Sequence, residues 1–355
     1  MNTPERIALS IVLWTMAVGS AGCKGKSAVV DDSSQPSTEA SQVLSWLPSD
    51  TETLITARGP FLLPGPPKDR QKSEERKTDA RDLQEIFRSL ALGPLALNNG
   101  GLQKQLMGAR VRLAAEGSRA FRPPHDLGEL LYEGCTVVMF IDDITDRERT
   151  FMKDAAKNAL RIEDIASHKV AVFQQEMERD TWTTFVAFPM KNVVIVATNQ
   201  NYLREVLARM DAPKTDKAFS RTLPEWNYVA TQAEFWGMRH FDKSQARLDP
   251  TSPYGGRKSA NLPDEGAIGL TFQCDPAKEL KANLVYLTDS KIKAMEVERQ
   301  RFPPGAEVES TTGLHIAYRN LSPGVIETSY DLSRPRSSDW FFFVFMAQLG
   351  HAVYV

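Results

Sequence analysis

The sequence predicts an α+β fold, with antiparallel sheets, segregated helices and the marks of two duplicated units. Three observations lead there. Runs rich in β-branched and aromatic residues are separated by short polar breaks, and connections that short join antiparallel neighbours, because parallel strands need a long crossover. Other stretches repeat apolar residues at the 3.6 period of a helix. Finally, a Leu-Pro opening, a Glu-Gly pair leading into a strand, and a closing strand–strand–helix group each occur twice.

In chain order, Trp46-Leu47-Pro48-Ser49-Asp50-Thr51 opens onto an apolar strand-like run at Thr53–Ala57. A Pro-rich and then mixed-charge insert occupies 64–82. Leu83, Ile86, Phe87 and Leu90 fall at i, i+3, i+4 and i+7, one face of a helix. Leu102, Leu106, Ala109 and Leu113 predict a second helix, stopped by Gly117. Glu133-Gly134 leads into a strand at Cys135–Ile141. Lys169–Gln175, Thr181–Phe188 and Val193–Thr198 read as a meander, with a helix over Asn201–Met210 after it.

The second half opens at Leu223-Pro224-Glu225-Trp226, with a strand expected over Asn227–Phe235. Glu265-Gly266 precedes a strand at Ala267–Cys274. Gly313–Arg319, Val325–Tyr330 and an apolar helix at Trp340–Leu349 close it. The closing helix continues an apolar run to Val355, with Ser337, Ser338 and Asp339 as N-cap oxygens, and predicts a buried element. These recurrences divide the chain into a signal (1–23), a flexible linker (24–42), a first α+β unit (43–212) and a second (213–355).

Composition bounds the class. The chain has 355 residues, 42% hydrophobic and 25% charged, with a net charge of −2. That is ordinary for a soluble globular protein. It leaves no electrostatic footprint for nucleic acid and no polybasic attraction to lipid.

The N-terminus is the most specific segment. Arg6 supplies a basic n-region, Ile7–Val18 an apolar h-region, and Gly19-Ser20-Ala21-Gly22 small residues before Cys23. This is the order of a secretory signal. The apolar run is too short for a stable span of the bilayer. Small residues ending at a cysteine resemble the lipobox of bacterial lipoproteins, with Ser20 where an aliphatic residue is common. The resemblance implies export, lipid attachment at Cys23, and anchoring in the cell envelope facing the periplasm. Residues 24–42, rich in Ser, Gly, Lys and Gln, read as the spacer such an anchor needs. The Leu-Pro-Ser-Asp-Thr opening is also similar to exported bacterial proteins that begin with a Leu-Pro-Ala-Asp-Thr strand. That resemblance implies export and carries no catalytic residue.

No nucleophile elbow, zinc helix, dinucleotide fingerprint, correctly spaced P-loop or EF-hand loop is present, and no cofactor is expected. The five histidines are scattered singly. The candidate binding residues are Arg239, His240 and Asp242, where a histidine stands two residues from a carboxylate, and Tyr254 in the Pro- and Gly-rich loop Asp249–Arg257. Asp142-Asp143 and Asp264-Glu265 are adjacent carboxylates at strand ends, where acidic turn residues are ordinary. Trp226, Trp236 and Tyr254 suggest an aromatic groove or plain core. Cys135 and Cys274 either form one disulfide or remain separate buried thiols. The expected protein is a lipid-anchored envelope protein with a non-catalytic binding or structural domain. Its partners are the membrane and an envelope protein. The alternative is an envelope hydrolase with an unfamiliar site.

Overall fold

In the computed structural model, the described residues are 35–63, 80–97, 100–120, 132–177, 180–240, 267–288, 307–309 and 315–333. The helices are α1 (Thr38–Trp46), α2 (Ala80–Leu97), α3 (Gly100–Leu106), α4 (Thr145–Asn158) and α5 (Gln200–Asp211). The strands are β1 (Thr53–Leu62), β2 (Arg110–Ala120), β3 (Tyr132–Phe140), β4 (Arg161–Ile165), β5 (His168–Met177), β6 (Asp180–Met190), β7 (Val193–Ala197), β8 (Phe235–His240), β9 (Ala267–Cys274), β10 (Lys281–Thr288), β11 (Glu307–Glu309), β12 (His315–Ser322) and β13 (Val325–Asp331). All thirteen lie in one antiparallel sheet of order β11-β12-β13-β10-β9-β8-β1-β2-β3-β7-β6-β5-β4. The α+β expectation holds at this level: antiparallel strands dominate and the helices pack on the sheet's faces.

Side chains alternate across a strand, so each strand feeds two cores. Ile55, Ala114, Val138, Val194, Phe235 and Phe272 point to one face, where α2, α3 and α4 lie. Leu54, Ala115, Val137, Ile195, Trp236 and Met238 point to the other, covered by α1, α5 and the segment from Ala218 to Val229. Phe87 of α2 stacks on Phe235 and Phe272, with ring centroids 5.1 and 6.4 Å away. A helix from the first half of the chain thereby covers strands of the second.

The caps explain where helices start. Ser37 Oγ accepts from the Ala40 amide, and Asn199 Oδ1 accepts from the Asn201 and Tyr202 amides. The expected apolar face of α5 is buried through Tyr202, Leu203, Val206 and Leu207. α2 breaks at Gly93, whose φ is +36°. A Cβ there would come within 2.9 Å of Thr136 Oγ1 and 3.0 Å of Glu116 Cδ, so only glycine lets the helix end press onto β2 and β3.

Three expectations change, and one open alternative closes. Leu102–Leu113 is not one helix: α3 ends at Leu106, Gly108 turns the chain at φ +75°, and 110–120 is strand β2. Val111 and Leu113 alternate with Arg110 and Arg112 there, a period-2 pattern that outweighs the weaker helical match. The run Asn227–Phe235 is not a strand. Pro224–Asn227 forms a short 3₁₀ helix, and β8 begins at Phe235. The linker does not extend to 42, because α1 already buries Ala40, Val43, Leu44 and Trp46. Cys135 and Cys274 are free, buried thiols in the cores of opposite faces, so they form no disulfide.

Counted outward from the central β1–β8 pair, the order is β1-β2-β3-β7-β6-β5-β4 on one side and β8-β9-β10-β13-β12-β11 on the other. The two Glu-Gly strands are not equivalent in this frame: β3 is third from the centre and β9 second. The insert at 64–79, Asp249–Arg257, Asp264-Glu265 and Trp340–Val355 lie outside the described residues, as does the whole signal segment.

Candidate functional site

The most unusual polar arrangement centres on Glu225. Leu223 and Pro224 start the 3₁₀ helix, with proline in the first turn, where no amide donor is needed. Trp226 anchors it: its indole N–H donates to the Phe219 and Ser220 carbonyls at 3.2 and 3.0 Å, its ring lies 6.2 Å from Trp236, and the Arg221 guanidinium sits 4.3 Å over it. Further along, the Ala230 amide donates to Gln273 Oε1 at 2.7 Å and the Thr271 hydroxyl donates to the Tyr228 carbonyl at 3.2 Å. The segment is thus fastened onto β8 and β9, and Glu225 is pressed against the sheet.

Glu225 is 0% exposed. Its side chain lies over Gly269, where a Cβ would come within 2.6 Å of Glu225 Cγ and nearer still to its carboxylate. Gly269 pairs with His240 across β8–β9. The His240 ring reaches the same spot, and its Nδ1 is 2.6 Å from Glu225 Oε1. Glu225 Oε2 has no hydrogen-bond partner among the described residues. A carboxylate removed from water costs several kcal/mol unless paired, so the imidazole is what makes this burial tolerable. With His240 protonated the contact is an ion pair; with one proton shared it is a short neutral hydrogen bond.

Chemically, a carboxylate on Nδ1 fixes the orientation and tautomer of an imidazole and directs proton exchange through Nε2. His240 is 34% exposed on its side chain, whereas Glu225 is sealed. Among the described residues, no group of three or more His, Cys, Asp or Glu side chains is placed to hold a metal.

Of the expected cluster, Arg239 and His240 are described. His240 is the last residue of β8, and its amide donates to the Glu52 carbonyl at 2.9 Å. Arg239 pairs with Thr53 and Leu270 and points to the opposite face, so it and His240 do not converge. Asp242 and Tyr254 lie outside the described residues, as does Cys23. Trp226 and Trp236 are buried core, not a groove. Asp142 bonds Arg110, which holds its carboxyl below the usual carboxylate range, and the Thr145 hydroxyl and amide do the same for Asp143. Both are turn residues in ordinary service. His168 pairs with Asp211 at 3.0 Å on the surface.

Sequence reasoning missed Glu225 as a site residue. The quoted Leu-Pro-Glu-Trp motif contained it, but a carboxylate in the opening before an expected strand gives no sign of burial. Gly269, alternating with apolar residues inside a strand, was the available signal, since an interior strand glycine often marks close approach by another group.

No family model matches this sequence, and no curated protein does. Among solved structures it is similar to TP0453 in two crystal forms. Form IV has a TM-score of 0.38 at 9% identity, covering 84% of this chain and 96% of that one. Form III has a TM-score of 0.38 at 10% identity, covering 83% and 97%. A likeness at that level carries no functional conclusion.

Proposed function

We propose that this chain is exported and held on an envelope membrane by a lipid on Cys23, facing the periplasm, with a folded part that binds or braces rather than catalyses. The observation that carries the reading is the N-terminal order of Arg6, the apolar run Ile7–Val18, four small residues and Cys23. The lipobox resemblance supports the lipid, and the stretch between Cys23 and α1 supplies the spacer. No helix among the described residues is long and apolar enough to cross a membrane. The test is Cys23→Ser in an expressing bacterium. Loss of fatty-acid labelling and release from the membrane fraction supports the reading; a Cys23→Ser protein that stays in membranes unprocessed refutes it.

One observation favours the hydrolase alternative: the Glu225–His240 pair has the carboxylate–imidazole form of a general base. His240→Gln decides this. If the variant folds and an esterase or phosphodiesterase activity of the parent falls at least tenfold, the alternative wins. If the parent shows no such activity, or the variant retains it, the pair is a brace.

We also infer that the two halves are copies of one unit. The repeated strand order outward from β1 and β8 supports this. Superposing β1, β2, β3 and β7 on β8, β9, β10 and β13 tests it. Strands that align with the helix-covered faces exchanged would contradict it.

A further inference from the structure

We propose that the end of the sheet formed by the β1 terminus, the α3–β2 turn and the β6–β7 turn rests on the membrane surface and inserts Leu62, Met107 and Met190 into it. This rests on the lipid-anchor reading above.

Five large apolar side chains are exposed among the described residues. Leu160 and Ile162 lie at the start of the edge strand β4. The other three sit on one rim of the sheet: Leu62 at 62% exposure, Met107 at 51% and Met190 at 37%. Leu62 pairs with Arg110 at the end of β1, and the Gly108 amide, one residue after Met107, donates to the Leu63 carbonyl. Met190 pairs with Val193 at the start of β7, and Asn192 beside it accepts from the Phe140 amide that ends β3. The rim therefore crosses β1, β2, β3, β7 and β6, about 20 Å at the ordinary strand spacing.

Four of the charges on this rim form two ion pairs, and a fifth, Arg147, is hydrogen-bonded. Arg110 bonds Asp142, Lys191 lies 4.0 Å from Asp143, and Arg147 Nη1 donates to the Gln105 and Met107 carbonyls at 2.7 and 2.9 Å. Long basic side chains with paired heads can lay their stems on an apolar phase. The rim therefore meets a lipid interface through apolar tips, with no net charge from its two ion pairs to desolvate.

The occupant follows from where the tether joins the fold. The Gln35 carbonyl accepts from Thr231 Oγ1 at 2.7 Å. Thr231 and Gln232 precede β8 on the Leu62 side of Arg58, because the Arg58 amide already bonds the Glu234 carbonyl and the Arg58 guanidinium reaches Gln232. α1 then starts with Glu39 beside Arg112, near the start of β2, and runs toward Thr53. The chain thus joins the fold at the rim that carries Leu62. Gln35 stands twelve residues after Cys23, which limits their distance to about 40 Å even at full extension. The Thr53 end of β1 lies roughly 30 Å from Leu62. A bilayer holding Cys23 therefore lies nearer the Leu62 rim, where the chain joins the fold, than the opposite one.

The test uses the full lipidated chain in vesicles of phosphatidylethanolamine and phosphatidylglycerol. An environment-sensitive fluorophore is placed on Leu62→Cys, Met107→Cys and Met190→Cys, with Asn201→Cys at the opposite end as the control. Co-sedimentation with vesicles is scored first, then label depth. Blue-shifted emission and quenching by lipid-borne nitroxide at 62, 107 and 190, with a water-exposed label at 201, is the expected result. Co-sedimentation with all four labels equally quenched by aqueous iodide, or with only the 201 label in lipid, overturns the rim while leaving the anchor intact. Failure of the Cys23 protein to co-sediment overturns the anchor and this orientation with it.

Discussion

Gly269→Ala is the perturbation that most directly examines how Glu225 is held. Gly269 does not occupy the left-handed backbone region, so its cost is not strain in φ. The new methyl group meets Glu225 Cγ at 2.6 Å and its Cδ at 2.5 Å. Those atoms belong to a side chain trapped between the sheet and the 3₁₀ helix, so the carboxylate must leave Nδ1 of His240 or push the helix outward. Losing a hydrogen bond to a charged group costs about 1.5–3 kcal/mol, and splitting a buried pair costs about 3–5 kcal/mol. The reduced freedom of the unfolded chain returns about 0.4–1 kcal/mol. The expected net loss is about 2–4 kcal/mol. Urea unfolding followed by tryptophan fluorescence reads it, since Trp226 and Trp236 flank the site. In a Glu225→Ala background the methyl group finds room, and the same substitution should cost under about 1 kcal/mol, a coupling in the range expected of touching residues. A Gly269→Ala protein within about 0.5 kcal/mol of the parent, or an equal cost in both backgrounds, would falsify the account of the cradle.

Three further outcomes are expected. Cys135 and Cys274 are buried, and burial pushes both thiols up from their ordinary range, so a thiol reagent should modify neither until unfolding; rapid reaction of either in native buffer contradicts the core assignment. Asp216→Asn should destabilise near neutral pH, because Arg209 holds the Asp216 carboxyl below the usual carboxylate range. A lowered folded pKa gives stability above the unfolded pKa that is lost as pH falls through the folded one, so the gap between parent and variant should close in acid; a gap that is flat from pH 7 to pH 3 refutes this. Gly93→Ala, at φ +36° and against Thr136 Oγ1, should cost about 1–3 kcal/mol by thermal unfolding, and an unchanged midpoint would show that the α2 kink is not imposed by β2 and β3.

What the sequence made legible follows from where the information sits. β9 was readable to the residue, and α5 to within one, because each buries a single periodic face against the sheet and its neighbours only reinforce that face. β2 was misread because Leu102, Leu106, Ala109 and Leu113 satisfy a helical period across a turn at Gly108 that only the left-handed glycine reveals. Recurring motifs suggested a duplication, yet the Glu-Gly pairs marked non-equivalent strands, because two residues before a strand say nothing about which neighbour it will take. The candidate site shows the limit most sharply. His240 stood out as a polar residue beside a carboxylate two positions away, whereas Glu225, which engages it in the structure, is fifteen positions back and brought alongside by a 3₁₀ turn. Its burial depends on Gly269, which belongs to a different strand. A site made of one residue from a turn, one from a strand end and one missing side chain from the next strand has no linear pattern. It becomes visible only when pairing of β8 with β9 sets His240 opposite Gly269, leaving a gap into which a carboxylate fits.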